Sequence, residues 1–256
     1  MEWSGPLFQR SASQLLGFMT PVVAELGRSE RRVAAIQYVQ GLLMPGQRKS
    51  VEPMAQRLGV EVQGLQQFVS DSPWSDAAVW TVVRKHIIPH LEPMESWVVD
   101  ETGWLKQGQH SVGVSHQYCG SVGKQANCQV SVELVVSDGW LAAPIGGRLY
   151  LPESWTKDPA RCARAGVPEE ISFATKPMIA LQLIREALAD GVARAPVLGD
   201  AAYGWLGGRF GCSTRCERPG ANSKNSGWWS TGQPMPPNRI ITIWLTCIDH
   251  PPKRSA

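Results

Sequence analysis

The sequence predicts an α/β protein in which an all-helical N-terminal region precedes a mixed sheet. Apolar residues recur at helical spacing up to about Pro89, and from Glu95 onward they follow the two-residue alternation of strands. Two short apolar runs then end in Asp100 and Asp200. Since open α/β sheets place their chemistry at the carboxyl ends of buried strands, these two aspartates are the first candidates for a functional site.

Bulk properties limit the class of protein. A chain of 256 residues is long enough for one large domain or for a small domain joined to a medium one. Its net charge of +3 permits a nucleic-acid partner without requiring one. We expect a cytoplasmic protein without a membrane partner, because no apolar run reaches the length of a membrane span and the N-terminus lacks a signal-peptide layout. The scattered cysteines favour reduced thiols.

The first predicted elements are helices with recognisable ends. Thr20-Pro21 is a helix-start signal, because proline is tolerated at the first helical position. A helical pattern that begins near Ala34 stops at Pro45-Gly46. Ser75-Asp76 opens a further helix that ends near Pro89.

A helix-turn-helix is predicted in the middle of this region. Residues 50–58 and 62–69 form two short helical patterns around the turn residue Gly59. An ordinary helical hairpin, in which the glycine only turns the chain, is the alternative. If the motif binds DNA, its candidate phosphate contacts are Arg48, Lys49 and Arg57.

The sheet begins with three predicted strands. The first is Trp97 to Asp100, and alternating apolar residues predict two more at 110–119 and 128–137. The polar, glycine-containing segment 120–127 between the last two is suited to a hairpin connection.

A crossover follows these strands. We predict a long loop over 150–173, a helix from 175 to 188 and a short strand at 197–199. This order is that of a ribonuclease-H-like (RNase-H-like) sheet, and a right-handed crossover would bring the strand that ends at Asp200 back beside and parallel to the strand of Asp100.

Paired aspartates at a sheet edge suit hydrolysis of a phosphodiester. Two Mg²⁺ ions can activate the attacking oxygen and stabilise the leaving oxygen, and carboxylates are the ligands that Mg²⁺ prefers. An aspartate that follows a strand can also be a turn residue or a helix cap, so spacing alone leaves this role open.

Long strings of the chain resemble the bacterial insertion-sequence transposases of the DDE superfamily, in the "DDE superfamily endonuclease" group. They are VVDETGWLKQGQHSVGVSHQYCGSVGKQANCQVSV, RLYLPESWTKDPARCARAGVPEEISFATKP and VLGDAAYG, in that order. YVQGLL and SVEPMAQRLGV are similar to the DNA-binding region of the same group. The resemblance extends over most of the chain before Gly204.

The resemblance implies a DNA transposase that cleaves and transfers strands with Mg²⁺ (or Mn²⁺). It makes Asp100 the first and Asp200 the second catalytic and metal-binding carboxylate, although members of the group commonly have an aspartate at the position of Glu101 as well. Its partner would be double-stranded DNA, at the element's terminal repeats and at the target, and a homodimer is compatible with it. In the catalytic domain we expect Lys106 and Lys124 to contact DNA.

The group's third acid, a glutamate on a helix well beyond the second aspartate, has no counterpart here. Only Glu217 and Asp249 are acidic after Asp200, and Glu217 comes too soon and in no helical pattern. The composition after about Trp205 is typical of a coding sequence translated out of frame, so we infer a frameshift close to Tyr203-Gly204. The predicted domains are a helical DNA-binding region at 1–92, a partial RNase-H-like catalytic domain at 93–204 and an aberrant, disordered tail at 205–256.

Several alternatives remain. Residues of the tail have zinc-ligand spacing, although we favour chance occurrence in an out-of-frame segment; they are Cys212, Cys216, Cys247 and His250. The predicted function is a transposase impaired by the missing acid. The first alternative is an inactive DNA-binding remnant that occupies element ends and interferes with an intact transposase. The second is an unrelated metal-dependent hydrolase that is indifferent to DNA.

Overall fold

The structure, a computed structural model, describes residues 6–91, 93–203, 214–216 and 241–243. The chain forms two compact units, Met1–Ile87 and Ile88–Ala256. No helix in the described ranges combines the length and apolar character that a bilayer crossing requires.

The N-terminal unit consists of helices in its described part, as predicted. They are α1 (Pro6–Ala24), α2 (Ser29–Leu43), α3 (Val51–Leu58), α4 (Val62–Ser70) and α5 (Asp76–Ile87). One apolar cluster joins the helices, and Ala55 of α3 and Leu65 of α4 lie almost completely buried in it. Burial of this shared apolar surface is the main source of stability for such short helices.

The predicted helix start at Thr20-Pro21 is wrong, because α1 continues through Pro21. A proline inside a helix removes one backbone hydrogen bond and costs about 3 kcal/mol. Packing offsets this cost, since Met19, Val22 and Val23 on either side of the proline are buried.

Helices α3 and α4 form the two predicted short helices, with Gly59 between them. Gly59 ends α3 in the left-handed region (φ 66°), where its N–H donates to the carbonyls of Ala55 and Gln56. Glycine adopts this conformation without the steric cost that a side chain adds. Helix α2 contacts both α3 and α4. The helix pair is confirmed, whereas its use in DNA binding stays a prediction.

The approach of α2 to α3 depends on a glycine. A Cβ atom at Gly41 would lie 2.9 Å from the Cβ of Met54, whereas a Cβ at Gly64 in α4 would meet no atom within 4 Å. We expect Gly41→Val to lower the free energy of unfolding by about 1–3 kcal/mol through overpacking. Gly64→Ala, the control, should raise it by about 0.5–1 kcal/mol through helix propensity. Urea unfolding followed by circular dichroism measures both, and two changes of the same sign would contradict this packing.

The C-terminal unit contains a mixed sheet with helices on its connections. Its elements are β1 (Ser96–Leu105), β2 (Ser115–Cys119), β3 (Lys124–Ser137), β4 (Ala142–Leu149), α6 (Glu153–Thr156), α7 (Pro159–Arg164), α8 (Lys176–Ala189), β5 (Val197–Gly199), β6 (Thr214–Cys216) and β7 (Ile241–Ile243). The strand order is β2-β3-β1-β5-β7-β6, and β4 also pairs with β3. Strand β3 is antiparallel to β1 and β4, whereas β5 is parallel to β1. This arrangement confirms the predicted fold class and is consistent with an RNase-H-like fold.

Four local features differ from the prediction. Strand β1 does not end at Asp100, as predicted, but continues to Leu105, because β3 pairs with it over this whole length. Strand β4 was not predicted, because its sequence AAPIGGRL contains a proline and two glycines and lacks apolar alternation. The strand predicted over 110–119 is shorter and begins at Ser115. Two short helices, α6 and α7, occupy part of the segment predicted as a long loop.

The two faces of the sheet differ in burial. On β3 the buried residues alternate with half-buried ones, so one face forms the core, and these buried residues are Cys128, Val130, Val132, Leu134 and Val136. Helix α8 contacts β3 and β4. Gly146 of β4 allows close approach of α8, since a Cβ there would lie 3.3 Å from a methyl carbon of Leu183. The opposite face carries Asp100.

Burial of the Cys128 thiol on the core face makes the stability of the C-terminal unit fall at alkaline pH. Burial, together with the neighbouring Cys119 thiol, raises the pKa of Cys128 to about 11. The folded state therefore keeps a proton that the unfolded state loses at lower pH, so the free energy of unfolding falls as pH rises from about 9 to about 11. Urea unfolding across this range should show the fall, and Cys128→Ala should reduce its slope whereas Cys162→Ala should not. An unchanged slope in Cys128→Ala would contradict the assignment.

Two short strands lie within the range predicted as a disordered tail. Strand β7 pairs antiparallel with β5, and β6 pairs with β7. Most of the predicted tail lies outside the described residues, as do Cys212, Cys247 and His250 of the zinc alternative. Both interpretations stay predictions.

Candidate active site

Asp100 lies in β1, and Asp200 directly follows β5, the strand that pairs in parallel with β1. The register pairs Val98 with Leu198 and Val99 with Gly199, and the next residue of each segment is an aspartate. Because side chains alternate along a strand, Asp100 is directed to the face of Val98. If the alternation of β5 continued for one residue, it would direct Asp200 to the face of Leu198. Both aspartates are exposed.

Local backbone donors orient each carboxylate. One oxygen of Asp100, Oδ1, accepts from the N–H of Glu101 at 2.8 Å, and Oδ1 of Asp200 accepts from the N–H of Ala202 at 2.9 Å. The second oxygen of each carboxylate takes no part in these bonds. Exposed oxygen donors of this kind fit a hard divalent cation. Within the described ranges, no three acidic, histidine or cysteine side chains come close enough to form a ligand set.

Glu133 lies directly opposite Asp100 in the β1–β3 ladder, and sequence reasoning did not identify it. Directly paired residues share a face of the sheet. Its Oε1 accepts from the hydroxyl of Ser131 at 2.9 Å, and that hydroxyl accepts from the indole N–H of Trp104 at 3.1 Å. The face around Asp100 is therefore polar along β1 and β3. The signal for Glu133 was its place on the half-buried face of an alternating strand.

The adjacent acid Glu101 has a different environment. Strand alternation directs it to the core face, where its Oε2 lies 2.5 Å from Nζ of Lys176 at the start of α8. Tyr203 is buried on that side, and burial together with the charges of Glu101, Asp200 and Asp100 raises the pKa of its hydroxyl. The two neighbouring acids therefore differ in environment, since Glu101 has a cationic partner and Asp100 is exposed.

Two of the predicted DNA contacts in the helical unit, Arg57 and Lys49, donate hydrogen bonds to backbone carbonyls of the chain itself. The guanidinium of Arg57 donates to the carbonyl of Arg48 at 2.7 Å, and the ammonium of Lys49 donates to the carbonyl of Met44. Both side chains thus hold the segment before α3. Arg48 itself is exposed.

The two predicted DNA contacts in the C-terminal unit lie near the end of the β1–β3 ladder at which Leu105 pairs with Cys128. Lys106 directly follows β1, where its carbonyl accepts from the amide of Asn127 at 2.8 Å. Lys124 is exposed at the start of β3, where it pairs with Cys119. Neither lies beside Asp100 in the strand register, so any contact with DNA would be at a distance from the paired aspartates.

The region of the chain that matches known proteins includes both aspartates. Residues 21–208 match the family model described as DDE superfamily endonuclease. A probable transposase for insertion sequence element IS701 from Microchaete diplosiphon is 28% identical over 183 residues, which are 70% of this chain and 45% of that protein. The matched part therefore spans less than half the length of this relative.

Proposed function

Because the chain belongs to the family of DDE superfamily endonucleases, we propose that it is a transposase of an insertion sequence that acts on double-stranded DNA. The observation that supports this most directly is the parallel register of β1 and β5, because the residues that follow the pair of Val99 and Gly199 are Asp100 and Asp200, and both are exposed. Two exposed carboxylates, one within β1 and one directly after β5, are suited to binding Mg²⁺ (or Mn²⁺) next to a phosphodiester.

The acidic side chains near the site have different roles in this proposal. Bound Mg²⁺ would supply activation of an attacking water or 3′-hydroxyl and neutralisation of the leaving oxygen. Asp100 and Asp200 would hold the metal through the oxygens that their backbone hydrogen bonds leave open. Lys176 holds Glu101 on the core face, which leaves Asp100 as the acid of β1 that faces the metal.

In the same proposal, α3 and α4 form a helix-turn-helix that binds the terminal repeats. Arg57 and Lys49 support this motif by holding the segment before α3, and the exposed Arg48 is the residue of that segment best placed to meet a phosphate. Phosphate contacts of this type position a protein on DNA without reading its sequence.

We propose further that cleavage by this chain is strongly reduced. After Asp200 the acidic residues are Glu217 and Asp249, and neither follows the family's pattern of a glutamate on a later helix. Two carboxylates can hold one ion, but a second ion would lack an anchor. This observation favours one alternative function, an inactive DNA-binding remnant that occupies element ends and interferes with an intact transposase.

The frameshift that we infer near Tyr203-Gly204 can be tested on the nucleotide sequence. Translation in the other frames beyond this point should produce apolar periodicity and a glutamate within a helical pattern. If neither alternative frame contains such a continuation, the inferred frameshift is wrong.

One assay separates the functions. The full chain is incubated with supercoiled plasmid that carries the element ends, with Mg²⁺ or with EDTA, and nicking and binding are measured at several salt concentrations. Nicking that depends on Mg²⁺ supports an active transposase, whereas salt-sensitive binding without nicking supports the remnant. Hydrolysis of p-nitrophenyl phosphate without DNA binding would overturn both and indicate an unrelated hydrolase.

A further inference from the structure

A cavity of about 300 Å³ lies beside helices α6 and α7 of the C-terminal unit. Its lining residues are Gln109, His110, Trp155, Arg161, Arg164 and Ala165. Three of these carry basic side chains, and no acidic side chain lines the cavity. A site of this composition attracts anions.

Two side chains of the cavity wall, Trp155 and Arg161, are held by contacts with their neighbours. Trp155 is fully buried and donates its indole N–H to the carbonyl of Val114 at 2.8 Å. The guanidinium carbon of Arg161 lies 3.8 Å from the centroid of the Trp155 ring, and its Nη2 donates to the carbonyl of Gln109 at 2.9 Å. Stacking on an aromatic ring fixes the plane of a guanidinium and so prepares its remaining donors for an oxyanion.

The basic side chains on this wall have hydrogen-bond donors left to bind an anion. The hydrogen bonds of Arg161 use Nη2, which leaves Nη1 and Nε outside them. Within the described part of the chain, His110 and Arg164 form no ion pair or side-chain hydrogen bond. Guanidinium groups in a fixed plane are well matched to phosphate oxygens, to which they donate two parallel hydrogen bonds.

The segment that leads to the cavity is held on the same face of the sheet as Asp100. Gln129 and Trp104 form a pair in the β1–β3 ladder on that face, and the amide of Gln129 donates to the carbonyl of Val112 at 2.6 Å. From Asp100 to Leu105, β1 extends about 17 Å at about 3.4 Å per residue. That length corresponds to about five phosphates along one strand of B-DNA.

We propose that this cavity is a subsite for a phosphate of the DNA backbone, which Arg161, Arg164 and His110 bind several nucleotides from the bond held at Asp100 and Asp200. This inference rests on the proposed function for its ligand, a phosphodiester. A free phosphate ion would offer the same chemistry to these side chains, so the experiment distinguishes the two sources.

The test uses the full chain and two probes. Fluorescence anisotropy measures binding of a labelled duplex oligonucleotide at a series of salt concentrations for the wild type, Arg164→Gln and Lys157→Gln. Lys157→Gln is the control, because it removes the same charge outside the cavity. Lys157 lies at the end of the neighbouring helix α6, where its ammonium pairs with Glu153 at 3.0 Å. In parallel, inorganic phosphate is titrated while the ring protons of His110 are observed by NMR.

We expect Arg164→Gln to weaken duplex binding by about 3- to 10-fold and to reduce the slope of log affinity against log salt by about 1, as the loss of one phosphate contact would. Lys157→Gln should change neither quantity. Equal effects of both variants would overturn the proposal. Perturbation of His110 by phosphate below millimolar concentration, with an unchanged duplex slope in Arg164→Gln, would show that the ligand is free phosphate and would also overturn it.

Failure of the proposed function gives a different result. If the wild type binds no duplex at any salt concentration, the assignment to DNA is wrong for the whole chain. Phosphate binding to His110 that Arg164→Gln abolishes would then support the anion chemistry of the cavity alone. No duplex binding and no perturbation of His110 would overturn both proposals.

Discussion

Asp100→Asn is expected to abolish saturable binding of Mn²⁺ and any nicking of plasmid DNA. The substitution removes one charge and one ligand oxygen from the site that we propose Asp100 and Asp200 form, as the residues that follow the register pair of Val99 and Gly199. Partners that merely orient metal ligands contribute about 10- to 100-fold to affinity, so the loss of a ligand should cost at least about 100-fold. Electron paramagnetic resonance of free Mn²⁺ measures this loss without requiring an active enzyme.

The matched controls are two other acids. Glu101→Gln changes the neighbouring residue, whose carboxylate contacts Lys176 on the core face, and Glu170→Gln removes an exposed carboxylate from the connection before α8. We expect both to retain Mn²⁺ binding within about threefold, a difference of less than about 0.7 kcal/mol. If Glu101→Gln abolishes binding and Asp100→Asn does not, the first metal ligand is Glu101 and the assignment from strand alternation is wrong.

The parallel pairing of β1 and β5 could be predicted because it depends on patterns that short segments carry. Apolar runs end at Asp100 and Asp200, and a helical segment of crossover length precedes the second run. A crossover connection that rejoins the same sheet is right-handed in nearly all proteins, which leaves few possible topologies. The structure places β5 beside β1 and parallel to it, as predicted.

Other parts of the site depend on contacts that no local pattern encodes. Strand β4 contains Pro144, Gly146 and no apolar alternation, and it forms because β3 supplies an antiparallel partner and α8 covers it. Glu133 lies beside Asp100 only through the register of β3 against β1. Arg57 and Lys49 were candidates for DNA contact on charge alone, whereas their donors bind backbone carbonyls nearby. In each case a tertiary partner decides the role of the residue.

Trp97→Ala is expected to be the most destabilising single change in the sheet. Trp97 is completely buried, its indole N–H donates to the carbonyl of Ala193 at 3.1 Å, and its backbone N–H donates to the carbonyl of Pro196 at 2.8 Å. Truncation of a buried tryptophan costs about 3–5 kcal/mol. Urea unfolding followed by circular dichroism should show a loss of this size.

Trp104 on the same strand provides the matched control. Its side chain is 52% exposed and lies on the opposite face, so Trp104→Ala should cost about 1 kcal/mol or less.

The same two variants also test whether packing around Trp97 positions a metal ligand. Trp97 holds the segment 193–196 that leads into β5, so its loss should weaken Mn²⁺ binding by displacing Asp200, whereas Trp104→Ala should leave that binding intact. Trp97→Phe restores most of the buried ring but not the N–H bond. If this variant recovers stability while Mn²⁺ binding stays weak, the indole hydrogen bond, rather than the volume of the ring, positions Asp200 beside Asp100.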